Sequence, residues 1–208
     1  MKPPKPLDRF LIGKAIRHLE SSDRALSGLI RKHGPCTLAP ALENPFHALA
    51  SSIISQQISA HAARAIKGRL FDLLGTQVFT PQKILRISAA SSKAAGLSGP
   101  KFQYLRGLAL AAKKGDLDFA SLAAGEDEKV ISTLMNFSGI GRWTAEMFLI
   151  FGLGRPDVLS VHDAGLKRGF KVAYHLREAP SADEMILISE PWRPYRSVGS
   201  WYLWRAID

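Results

Sequence analysis

LMNFSGIGRWTAEMFLIFG, running from Leu134 to Gly152, is the stretch on which the fold turns. An apolar segment ending near Phe137 meets Ser138-Gly139-Ile140-Gly141, and a second apolar segment starts near Arg142. Two glycines around one apolar residue allow a tight turn with unusual φ values and a close approach of the backbone to a ligand. Ile140 anchors such a turn by pointing inward. The helix that follows begins with N–H groups that have no partner inside it and with the positive end of its dipole, and both suit a phosphate. The tripeptide alone is equally an ordinary helix–helix turn. With helices on both sides in a basic chain, it predicts a hairpin that grips nucleic-acid backbone and supplies affinity rather than sequence specificity.

The charge balance points the same way. Twenty-eight lysines and arginines against 18 acids give a net charge of +10 and a pI near 9.9. Each basic group that neutralises a phosphate releases a condensed counterion, so an excess of this kind favours a polyanionic partner. A basic surface that serves only solubility is the plainer reading of composition by itself. Cys36 is the only cysteine, which excludes internal disulfides and any four-cysteine zinc or iron–sulfur site. No apolar run reaches the roughly 18 residues of a membrane helix, and MKPPKPLDRF lacks an apolar signal core, so the sequence predicts an intracellular protein without a membrane partner.

Helix signals recur along the chain and strand alternation is nearly absent. Asn44-Pro45 reads as an N-cap and first-turn proline before an apolar run to Ile54; Ser59 opens a helix that stops at Gly75; Thr80-Pro81 opens another. Pro100 begins a long amphipathic stretch with Leu105, Leu108 and Ala112 on one face, closed by Gly115. Glu126, Asp127 and Glu128 precede Val130, Ile131 and Leu134, where a helix dipole favours acids. Asp163 and Ser181 are further N-caps, and Pro194 precedes a last helix rich in aromatics. About ten helices with short connections predict an all-α domain over 7–208, with residues 1–6 a disordered tail and the hairpin at 134–152.

Downstream of the hairpin, Asp157-Val158 leads into LSVHDAGLKRG, placing Asp163 twenty residues after Trp143. Together with SSIISQQISAHAA (Ser51–Ala63), LSGPKFQYLRGLA (Leu97–Ala109) and WRPYRSVGSWYLWR (Trp192–Arg205), this resembles the helix–hairpin–helix DNA glycosylases of the HhH-GPD type. The similarity is closest to the 3-methyladenine DNA glycosylase II (AlkA-like) group in its compact form. The four motifs keep the family's order and span about three-quarters of the chain. The resemblance implies a two-lobed helical fold with the active-site cleft between lobes, and a monomeric enzyme that excises alkylated bases from double-stranded DNA.

The roles follow by position. Asp163 is the essential carboxylate that stabilises an oxocarbenium-like sugar and orients or deprotonates water; its plainer role is a helix N-cap. Trp143, Met147 and Trp204 line the pocket for the flipped base, where aromatic faces attract a cationic methylated purine; their plainer role is core packing. Met147 stands where an aromatic is frequent, which leaves the lesion range open. Gln57 is the wedge that fills the gap left by the flipped nucleotide, with Gln56 supporting its turn from beneath. Gly139, Ile140 and Gly141 form the hairpin that grips DNA backbone, and Lys101, Arg142, Lys167 and Arg168 contact phosphate or serve as salt-bridge support. Trp143 replaces the lysine of the bifunctional glycosylase/lyases, so no Schiff base can form and the enzyme is monofunctional. The resemblance requires no cofactor and no iron–sulfur cluster, but adds a structural Na+ or K+ on the backbone carbonyls of Met135, Phe137 and Ile140. It places the protein in the cytoplasm or nucleoid if bacterial and in the nucleus if eukaryotic. A glycosylase for another lesion and a non-catalytic helix–hairpin–helix DNA-binding protein remain alternatives.

Overall fold

The computed structural model describes residues 4–207. Among them the chain forms thirteen α-helices and no strand: α1 Arg9–Ser22, α2 Arg24–His33, α3 Pro45–Ser55, α4 Ala60–Leu74, α5 Pro81–Arg86, α6 Ala89–Ala94, α7 Gly99–Lys114, α8 Phe119–Ala124, α9 Asp127–Leu134, α10 Arg142–Phe151, α11 Ala164–Ala173, α12 Ala182–Ser189 and α13 Arg196–Arg205. A 3-10 turn, Glu190–Trp192, follows α12. Local chemistry sets most of the starts. The side chains of Asn44, Ser59, Thr80 and Asp163 each accept an N–H from the first turn of their own helix, and Ser181 with Glu184 forms a capping box. Gly75 and Gly115, both left-handed, close α4 and α7. The buried face of α7 is Phe102, Leu105, Leu108 and Ala109, while Ala112 is only half-buried at its edge. The count exceeds the expected ten partly because α6 and α8 are six residues long, too short to show a helical period.

The chain divides into two compact units. The first is Ala41–Leu153, in which α3 and α10 pack against one another and Leu49, Ile53, Ile54, Phe148 and Ile150 are fully buried. Here α7 lies against α3 and α5, and α9 against α10. The second unit combines Pro4–Pro40 with the residues from Gly154 onward. Its core is Leu19, Leu26, Phe170, Trp192 and Tyr202, with the Phe170 and Trp192 rings stacked 5.2 Å apart and 7° from parallel. Asp23 ties this core together. It caps α2 through Leu26 N–H, and its Oδ2 accepts from the Trp192 indole at 2.9 Å and the Tyr174 hydroxyl at 2.5 Å. Burial and that neighbouring carboxylate push the Tyr174 phenol well above its ordinary range. Of the expected tail, residues 1–3 lie outside the described residues; residues 4–6 are non-helical, and the Pro4 carbonyl lies 3.5 Å from Nη1 of Arg155.

Candidate active site

In the first unit the hairpin occupies residues 135–141, between α9 and α10. Phe137 N donates to Leu134 O at 3.0 Å and Ile140 N to Phe137 O at 3.1 Å. The two glycines do different work. Gly139 has φ +83°, and a Cβ there would sit 2.2 Å from the ring of Tyr104, so both backbone and packing demand glycine. Gly141 is extended (φ −97°, ψ 175°) and a Cβ there would meet nothing within 4 Å. Its lack of a side chain leaves the approach to the start of α10 open, and α10 has no side-chain cap over its first N–H groups. Ile140, 5% exposed, points into the core as the sequence implies.

Gln56 fastens this hairpin to the turn between α3 and α4. Its Nε2 donates to Gly139 O at 2.7 Å and to Thr144 Oγ1 at 2.8 Å. Gln57, the next residue, is exposed with φ +55°, a left-handed conformation rare for a residue with a side chain. Lys101 braces the same turn: Nζ donates to Ile54 O at 2.8 Å and Gln56 O at 2.6 Å. Burial pulls its pKa down from the ordinary lysine value. Both of these Lys101 partners are backbone carbonyls, neither a phosphate nor a salt-bridge carboxylate. Arg142 is also paired within the chain, although its side chain is 44% exposed. It pairs with Glu128 on α9 and, through Nε at 3.1 Å, with the buried Glu146 on α10, and the Glu128 hydrogen bond raises its pKa. The guanidinium therefore braces the two arms of the hairpin, and backbone N–H groups are what the hairpin presents. Trp143 is half-buried on α10, with Met147 one turn on and 5% exposed.

In the second unit, Asp163 is 9% exposed at the start of α11. Its Oδ1 accepts the Leu166 N–H and the indole Nε1–H of Trp204 at 2.9 Å. The loop leading to it is anchored on the start of α13. Asp157 accepts from Arg196 Nε at 2.7 Å and Arg193 Nη1 at 2.8 Å, Ser197 Oγ donates to Arg155 O at 2.7 Å, and Val158 N donates to Ser197 Oγ at 3.0 Å. Lys167 is half-buried on α11 and makes no ion pair among the described residues; Arg168 and His162 are exposed. Sequence reasoning missed the roles of Tyr104, Arg196 and Ser197, although the segments that carry them stood out as motifs. It also missed the hydrogen bond from the Trp204 indole N–H to the Asp163 carboxylate.

Helical throughout its described elements, with a hairpin between two helices and a buried aspartate that accepts N–H donors, the protein has the architecture of the helix–hairpin–helix class. Residues 50–194 match the HhH-GPD superfamily base excision DNA repair protein family, and the chain belongs to it. The chain is 32% identical over 196 residues to the alkylbase DNA glycosidase-like protein mag2 of Schizosaccharomyces pombe, covering 92% of each. It superimposes on the 3-methyladenine DNA glycosylase Mag1 of the same yeast, solved with abasic DNA, at a TM-score of 0.83 and 31% identity over 92% of this chain and 95% of that one. A DNA-3-methyladenine glycosidase of Bacillus halodurans gives a TM-score of 0.70 and 39% identity, covering 92% and 88%.

Proposed function

We propose that this chain is a monofunctional DNA glycosylase that flips alkylated bases, 3-methyladenine among them, out of double-stranded DNA and hydrolyses their N-glycosidic bond, leaving an abasic site. The observation that carries the reading is Asp163, a buried carboxylate held by two N–H donors in a family of base-excision proteins. As the bond from C1′ to the base breaks, its electron pair leaves with the base and positive charge builds on the deoxyribose. The Asp163 carboxylate stabilises that charge and orients the water that bonds to C1′, taking its proton. A purine methylated at ring N3 or N7 is already cationic in the nucleotide, so its departure needs no added proton, and the faces of Trp143 suit such a base. Gln57 fills the gap in the duplex, and the open N–H groups of α10 hold a phosphate. Trp143 rather than a lysine follows Arg142, which supports hydrolysis without strand cleavage.

A monovalent cation on the carbonyls of Met135, Phe137 and Ile140 belongs to this proposal. Carbonyl oxygens are the donor class such an ion takes, and the Phe137 carbonyl, which accepts from Ile140, keeps a second lone pair. Such an ion would add positive charge where the phosphate sits. Among the described residues no helix is long and apolar enough to cross a membrane. The chain acts where DNA is: the nucleoid or cytoplasm of a bacterium, or the nucleus of a eukaryote.

The test is single-turnover release of free bases from methylated DNA, identified by chromatography, with Asp163→Asn alongside. Asparagine caps helices about as well as aspartate, so α11 survives and melting temperature stays near that of the unmodified protein. The rate falls on the order of 100- to 1000-fold, the usual loss for one charged stabiliser. The unmodified protein should leave abasic sites that break only on alkali treatment. Excision by Asp163→Asn at the original rate overturns the mechanism.

A further inference from the structure

We infer that Trp204 is a positioning residue for Asp163, and that the close packing of α11 on α13 at Gly165 and Gly169 sets its grip. The inference rests on the reading of Asp163 as the carboxylate of the excision step. A carboxylate turns readily about its last torsion, which is broad and roughly two-fold. The Leu166 N–H comes from Asp163's own helix and does no more than cap it. The Trp204 N–H comes from a helix 41 residues further on and meets the same oxygen at 2.9 Å. Two donors from independent elements on one oxygen fix the plane of the group. The indole nitrogen is a donor only, and its ring is rigid, so this contact has a single sense and one direction.

What brings α13 this near is the absence of side chains on one face of α11. A Cβ on Gly169 would lie 2.6 Å from Leu203 O and 2.9 Å from Leu203 Cβ. A Cβ on Gly165, one turn earlier, would lie 3.1 Å from Asp163 Oδ1 and 3.4 Å from Trp204 Cδ1. Any larger residue at Gly169 pushes the backbone of α13 outward, carrying the indole off the carboxylate. The neighbour Leu203 is fully buried, which fixes the rotation of α13 that aims Trp204 at Asp163. A base-pocket wall uses the faces of an indole, whereas positioning uses its N–H edge, and the two roles separate in experiment.

Trp204→Phe keeps an aromatic ring and deletes the donor. Its affinity for DNA carrying an uncleavable abasic analogue should stay unchanged, while single-turnover excision at saturating enzyme falls on the order of ten- to a hundredfold, the scale of misplacing a reacting group. In the Asp163→Asn background the same substitution should change nothing further, because the group it positions is gone; contacts that act as a unit are not additive. A full saturating rate for Trp204→Phe overturns the inference. A loss that adds to that of an inactive Asp163→Asn overturns it too and marks Trp204 as an independent base contact. If Asp163→Asn itself excises at the original rate, the functional reading fails and the inference with it. Should Trp204→Phe melt early, Trp204→His, which restores a ring N–H, is compared with it below both melting temperatures: recovery of rate by His supports positioning, and equal rates refute it.

Discussion

Lys101 shows that the partners a basic residue meets within the fold are not written in its own chemistry. A lysine in a basic chain is an ordinary candidate for phosphate contact, yet its ammonium donates to Ile54 O and Gln56 O and so satisfies carbonyls at the end of α3. The two roles give opposite signatures. Lys101→Met keeps the apolar stem and removes the charge, leaving two carbonyls short of a donor. It should lower stability by about 1–2 kcal/mol, the scale of hydrogen bonds from a charged donor that is partly solvated. The salt dependence of DNA affinity should not move. A log–log salt slope shallower by about one, with the melting temperature intact, would return Lys101 to the phosphates. Arg142, paired with Glu128 and Glu146 although its side chain is 44% exposed, has fewer donors left for DNA.

At the scale of an element, the hairpin's two glycines predict two different failures. Gly139→Ala must adopt a left-handed φ and drive a methyl into the Tyr104 ring, so it should cost upward of about 2 kcal/mol and disturb the turn itself. Gly141→Asp does the reverse. Position 141 is the N-cap of α10, extended and open, and aspartate is among the best N-caps, so the melting temperature should hold or rise. A carboxylate over the first turn nonetheless occupies the N–H groups and repels a phosphate, so affinity for duplex DNA should fall about tenfold or more. Measured by calorimetry and fluorescence anisotropy on one sample, stability and binding part company. Unchanged binding by Gly141→Asp would show that the start of α10 is not the phosphate grip.

For the whole molecule the net charge of +10 is the dominant long-range property. With two to four phosphates neutralised, affinity for undamaged duplex should drop roughly ten- to a hundredfold between about 50 and 200 mM salt, with little dependence on sequence, since the hairpin reads backbone. Affinity that is flat across that range would contradict an electrostatic grip.

The sequence by itself determined the all-helical class, most helix starts and the hairpin, because caps, prolines and closing glycines act within four residues and periodic apolar faces within two turns. Asn44-Pro45, Ser59, Thr80-Pro81 and Ser181 are legible for that reason, as is the double reading of Asp163, whose capping bond is local. Tertiary structure alone decided which hairpin glycine is obligatory, because Tyr104, 35 residues upstream, supplies the obstacle. It also decided that Lys101 meets the carbonyls of Ile54 and Gln56, that Arg142 pairs with Glu128 and Glu146, and that the Trp204 indole meets Asp163. Those outcomes depend on distances between groups far apart in the chain, set by how closely helices pack, and Gly169 carries that information only once Leu203 lies against it.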